Sequence, residues 1–256
     1  MFVRALAAEL IKLRRTLALW MVFIAPLVVV QLQVFIILNK SGNPQAEAVD
    51  GTQLVLQNTF AFWLMLMLPL FITLETALLG GMEHDQHAWK HLYAQPTPRW
   101  AIYLAKQLVA LGMIALSFLA LMGFAWLAMA GMSALPLPSI SWPQPPWAQV
   151  AQMLAYTFGM SWLMLALHLY VSIRWPSYTL SLGVGMVASV AGFLIDMGGS
   201  DSLAVRVFPW SLPLNGMMHF IGEAQVQMAQ PLLLGMLGGV AVAALGAWHL
   251  SLRDAG

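Results

Sequence analysis

Six stretches of the chain are apolar for long enough to cross a bilayer, at about 17–38, 60–79, 108–130, 150–173, 178–195 and 231–252. A helix rising about 1.5 Å per residue needs roughly 20 residues to span the hydrocarbon core. Backbone groups in lipid must pair within their own segment, so these runs predict helices. The alternating segments of about ten residues that mark a β-barrel are absent. The first run is too long for the apolar core of a signal peptide, and no small-residue cleavage site clearly follows it. It is expected to be retained.

Residues 2–16 carry a different pattern. At about 100° per residue, Phe2, Val3, Leu6, Leu10 and Leu13 share one face. Arg4, Glu9, Lys12 and Arg15 share the opposite one, with Ile11 and Arg14 as exceptions. This predicts an amphipathic helix in the membrane interface, its cations near anionic headgroups; a plain basic flank is the alternative.

The polar segments are distinct from one another. The loop 39–57 contains Ser41-Gly42-Asn43-Pro44, and 133–147 holds Pro136, Pro138, Pro143, Pro145 and Pro146, through which no regular helix runs. Segment 198–230 mixes Phe208-Pro209-Trp210 with a helical-looking piece around Met217–Met228. That piece either dips into the membrane or is a plain loop. Between spans two and three, Glu83–Tyr93 predicts a short helix, closed by Pro96 and Pro98. Trp89, Leu92 and Tyr93 stand among its charges and invite a protein partner, since buried aromatics anchor interfaces. The alternative is a helix lying on the membrane surface.

Composition agrees with the spans. Hydrophobic residues make up 61% and charged residues 8% of the chain, with a mean hydropathy of +0.79. A soluble domain carries roughly 25% charged residues, so most of this surface must face lipid or protein. With the N-terminus inside, Arg4, Lys12, Arg14, Arg15, Lys90, Arg99, Lys106, Arg174 and Arg253 all fall on the inner side. Of the 11 basic residues only Lys40 and Arg206 fall outside. That asymmetry places both termini in the cytoplasm. Trp100, Trp142, Trp147, Trp175, Trp210 and Trp248 lie near span ends, where an amphipathic ring prefers the headgroup level. The absence of cysteine excludes disulfides, thiolate metal sites and cysteine nucleophiles. The reading is one all-α transmembrane domain over 1–256, with six spans, an interfacial helix and a cytoplasmic helix.

Two stretches carry a family likeness. One is Glu9-x-x-Lys12-Leu13-Arg14-Arg15, followed by Pro26 inside the first span. The other is Glu83, Trp89-Lys90-x-Leu92, Pro96-x-x-Arg99 and Lys106. With the order of spans, they resemble the ABC-2 type permeases of ABC transporters, above all the small six-helix members of lantibiotic and other peptide-antibiotic immunity and export systems. The resemblance implies an elbow helix over 2–16 and a coupling helix over 83–93 that seats in a separate ATP-binding subunit. Glu83, Asp85, His87, Trp89, Lys90, Leu92 and Tyr93 would form that contact. It further implies a pair of ATP-binding subunits holding ATP and Mg, a second permease chain (identical or paralogous), a bacterial plasma-membrane location and export of an amphiphilic substrate by alternating access. No nucleic-acid partner is implied. The chain has no Gly-x-x-x-x-Gly-Lys-Ser/Thr phosphate loop, so it is expected to bind no cofactor itself and to leave ATP hydrolysis to the partner.

Other residues admit their own chemistry. Glu75 is the acid well inside a span, where a carboxylate is costly and either pairs with a base or handles substrate. Gln31, Gln33, Asn58 and Thr59 line a path or hydrogen-bond between helices. Ser181, Gly185, Ser189, Gly235 and Gly239 permit close helix contacts, within one chain or between two. His84, His87 and His91 share a helical face, and the His87/His91 spacing suits a metal pair, though a partner-facing polar surface explains them equally. Ser161 with His219 raises an intramembrane serine protease, and Pro26 with Pro69 an ion-coupled carrier.

Overall fold

The computed structural model describes residues 1–14, 16–40, 49–85, 98–137, 140–175, 177–198, 202–220 and 229–252, with Lys40, residues 82–85 and His219 described by their backbone alone. Among these residues, six helices are long and apolar enough to cross a membrane. The chain is an all-α, multi-pass membrane protein.

Helix α1 (Phe2–Leu13) precedes the first span, α2 (Leu17–Lys40). A two-residue strand β1 (Val49–Asp50) leads into α3 (Gly51–Phe62), which continues through a π-helical turn (Trp63–Met67) into α4 (Leu68–Asp85). Next come α5 (Arg99–Ser133), β2 (Ile140–Ser141), α6 (Trp147–Arg174) and α7 (Tyr178–Met197). Short helices α8 (Leu203–Val207) and α9 (Leu212–Phe220) precede the last span, α10 (Ala229–Leu252). One end of the bundle, the basic end, carries α1, the start of α5 and the end of α6. The β1–β2 pair and Pro143, Pro145 and Pro146 lie at the far end.

The second span starts earlier than its apolar run. Gly51–Gln57 is helical rather than loop because the Asp50 carboxylate accepts the Gln53 N–H at 2.9 Å and caps the helix. The third span, α5, likewise begins earlier than its apolar run, at Arg99 directly after Pro98. At about 1.5 Å per residue, the 35 residues of α5 extend about 52 Å, well past the hydrocarbon core. In the segment after α7, helix occupies Leu212–Phe220, so the expected helical piece starts earlier, and residues 221–228 lie outside the described set.

The π turn has a local cause. Pro69 has no N–H to give the fourth carbonyl back, and its ring collides with that carbonyl in a regular helix. The turn widens just ahead of it, with the Leu68 N–H reaching the Trp63 carbonyl. It also turns Trp63 fully inward. Trp63 meets Phe71 at 5.8 Å and the edge of Phe118 at 6.4 Å, and Phe118 meets Phe158 at 6.3 Å. This aromatic line joins α3–α4, α5 and α6.

Small residues set the closest packing. A Cβ at Gly235 would sit 2.5 Å from the Cα of Met160, and one at Gly239 would sit 2.7 Å from the ring of Trp162. The Gly235/Gly239 pair therefore draws α10 onto α6 within one chain. Ser181, Gly185 and Ser189 are buried too, with Gly185 against Thr73 of α4 and His168 of α6. Other faces stay open: Val187, Val190 and Leu194 of α7 and Trp20, Val28 and Phe35 of α2 point away from the bundle.

Candidate functional site

At the basic end, α1 is fixed to the bundle by charge. Ala5, Glu9 and Leu13 are buried, while Val3, Leu10 and Ile11 face outward. Lys106 on α5 is fully buried, and its Nζ lies 2.7 Å from Glu9 Oε2 and donates to the Leu79 carbonyl at 3.2 Å. Lys12 Nζ lies 2.6 Å from the other oxygen, Glu9 Oε1. Burial by itself pushes the Glu9 carboxyl up, but Lys106, then Lys12, outweigh it and hold the group below its ordinary 4.5. One ammonium thus joins α1, α5 and the stretch of α4 that runs on into the segment 86–97.

This differs from the helical-wheel expectation, which set Glu9 with Arg4, Lys12 and Arg15 on a headgroup-facing surface. Arg4 and Arg14 are exposed, Lys12 is half-buried, and Arg15 lies outside the described residues. Glu9 turns inward because its partner sits 97 positions along the chain, beyond the reach of local periodicity. The proposed coupling residues His87, Trp89, Lys90, Leu92 and Tyr93 lie outside the described residues, as does His91. Of Glu83, His84 and Asp85 only the helical backbone is described.

Deeper in the bundle, most buried hydroxyls bond to their own helix. Thr73 donates to the Pro69 carbonyl at 2.8 Å, Thr76 to Ile72 at 2.7 Å and Ser172 to Leu169 at 2.9 Å. Ser161 does the same to Phe158 at 2.7 Å and is fully buried; the side chain of His219, its suggested dyad partner, is not described. A carboxylate or imidazole has no such local solution. Among the described residues, neither oxygen of Glu75 and neither nitrogen of His168 has a hydrogen-bond partner, although both residues are about 1% exposed. The expected base beside Glu75 is therefore not found among the described residues. Sequence reading passed over His168, yet an ionisable side chain inside an apolar run is itself a signal.

The remaining polar candidates separate. Gln33 and Thr59 are buried, whereas Gln31 and Asn58 are exposed. Gln31 lines a cleft of about 450 Å³ between α2 and α5, beside Phe124 and Met132.

The family model described as ABC-2 family transporter protein matches residues 5–192, from within α1 to near the end of α7. The chain belongs to the ABC-2 transporter family. It is the membrane-embedded permease component of an ABC transporter, a role that pairs it with an ATP-binding subunit rather than making it the ATPase. No curated protein matches the permease.

Proposed function

We propose that this permease is the membrane half of a bacterial plasma-membrane exporter that moves an amphiphilic substrate by alternating access. Both termini and the Glu83–Tyr93 helix lie in the cytoplasm in this reading. A second permease, identical or paralogous, completes the path, and two ATP-binding subunits holding ATP and Mg drive it. Peptide-antibiotic immunity is the physiological setting that the sequence resemblance favours.

The observation that carries the reading is the buried Glu9–Lys106 pair with its bond to the Leu79 carbonyl. It makes the interfacial helix, the foot of α5 and the end of α4 one mechanical unit. A push on the segment that follows α4 is then passed to two helices instead of being absorbed by a loose loop. Trp89, Leu92 and Tyr93 supply the anchors for the ATP-binding subunit.

The test is co-purification of the permease with its ATP-binding subunit, followed by ATP-dependent transport in proteoliposomes. Transport that requires ATP and that subunit supports the reading; transport driven by an ion gradient without it refutes it. Glu75 and His168, buried in the spans without a partner among the described residues, favour a second reading as an ion-coupled carrier, and the same assay separates the two.

A further inference from the structure

At the far end, a cavity of about 340 Å³ opens between the start of α3, the proline-rich strap, the start of α6 and α9. Its floor is apolar, formed by Leu56, Phe60, Met153 and Met217. Its rim carries the side chains of Gln53, Gln57, Gln144 and Gln149, and none of these four amides has a partner among the described residues. The wall is built rather than loose. Val49 pairs with Ile140 and Asp50 with Ser141, Gly51 lets Ile140 approach its backbone, and Thr52 Oγ1 donates to the Pro143 carbonyl at 2.7 Å.

We propose that this cavity binds an amphiphile whose head is uncharged and both donates and accepts hydrogen bonds, an amide or a hydroxyl head on an apolar tail. Three observations converge on that class. A primary amide offers an acceptor oxygen and two donors, so four free amides match a head of mixed donors and acceptors better than an ion. Asp50 is the one charged residue among the described lining groups, and its carboxylate is already engaged by the Gln53 N–H. Two helix N-termini, those of α3 and α6, flank it; each carries roughly half a positive charge, so together they offset the single negative one. The volume sits near the lower end of ligand pockets, about 300–1,000 Å³, enough for a head and the first part of a tail.

The physiological meaning of the site rests on the amphiphile-export reading, but binding does not. It is measured on the full permease in phosphatidylcholine nanodiscs without ATP or the ATP-binding subunit, with empty discs subtracted. Four dansyl-labelled octyl probes differ only in the head: glycylglycinamide, glucoside, trimethylammonium and sulfonate. At least one uncharged head is expected to bind about tenfold or more tightly than both charged ones, and the tighter of the two tells amide from hydroxyl. Gln57→Leu with Gln149→Leu should abolish that preference, Gln149→Trp should weaken every probe, and Asp50→Asn, which keeps the cap, should change the preference less than about twofold. Equal binding of charged and uncharged heads, or an undiminished preference in the double glutamine variant with an unchanged melting midpoint, overturns the site. ATP-driven transport would then still stand or fall on its own assay.

Discussion

Replacing Lys106 by methionine removes the cation against which Glu9 is buried. The two side chains are 0% and 3% exposed, and their charged atoms are 2.7 Å apart. Stripping one member from a buried pair leaves the other ion uncompensated, at a cost of about 3–5 kcal/mol. Lys12 remains 2.6 Å from Glu9 but is 31% exposed, so water screens it and it recovers only part of the loss. The expected destabilisation is therefore at the lower end, about 3 kcal/mol. In a chain of this size about 1 kcal/mol moves the melting midpoint by about 2–4 °C, which places the Lys106→Met shift at about 6–12 °C. Tryptophan fluorescence during a thermal ramp in nanodiscs reads it, helped by the 11 tryptophans. The double variant Glu9→Gln with Lys106→Met removes both charges and should regain most of the loss, because the penalty lies in the orphaned ion. A single-variant midpoint within about 2 °C of wild type, or a double variant no better than the single, would refute the reasoning.

Three further outcomes follow from the same geometry. Glu9 titrates below its ordinary 4.5 in the folded chain. The stability it contributes is therefore complete above that value and is lost as pH falls through the lower folded one. The midpoint advantage of wild type over Glu9→Gln should hold from about pH 7 to about pH 5.5 and shrink below about pH 4.5. Gly235→Ala places a methyl 2.5 Å from the Cα and 2.8 Å from the carbonyl oxygen of Met160, backbone atoms that cannot step aside; it should cost about 1–3 kcal/mol. Gly183→Ala, which meets nothing within 4 Å, should be neutral or gain up to about 1 kcal/mol, and equal midpoints for the two variants would contradict the packing account. Glu75→Gln exchanges a buried carboxyl, without a partner among the described residues, for a neutral amide of the same shape. Its midpoint should hold or rise, and a fall of more than about 4 °C would mean that the carboxyl has a structural partner.

The six spans were legible because lipid allows few solutions for a backbone, and apolar length reports them directly. Their ends were less so. The start of α3 depends on one cap, Asp50, and the distortion before Pro69 on one missing N–H; each is readable only after the helix is assumed. The spacing of Gly235 and Gly239 announced a close contact, but only the fold identifies α6 as the other side. Glu9 shows the sharper limit. Its wheel position groups it with cations, while its strongest partner, Lys106, comes from a distant helix. The four far-end glutamines were visible as residues, but the cavity they rim is assembled from four separate elements and leaves no local spacing to read. His168 was visible as an ionisable residue in an apolar run, but its place beside Gly185 of α7 comes only with the fold.

In the proposed function, an ATP-binding subunit drives this permease through the segment 83–93. The direct test is ATP-dependent transport and ATPase activity of the complex in proteoliposomes, comparing wild type with Trp89→Ala plus Tyr93→Ala. Removing these two proposed anchors should lower recovery of the ATP-binding subunit and reduce ATP-driven transport by about tenfold or more, with the permease's own melting midpoint unchanged. Full transport and full recovery of that subunit in the double variant would contradict the account.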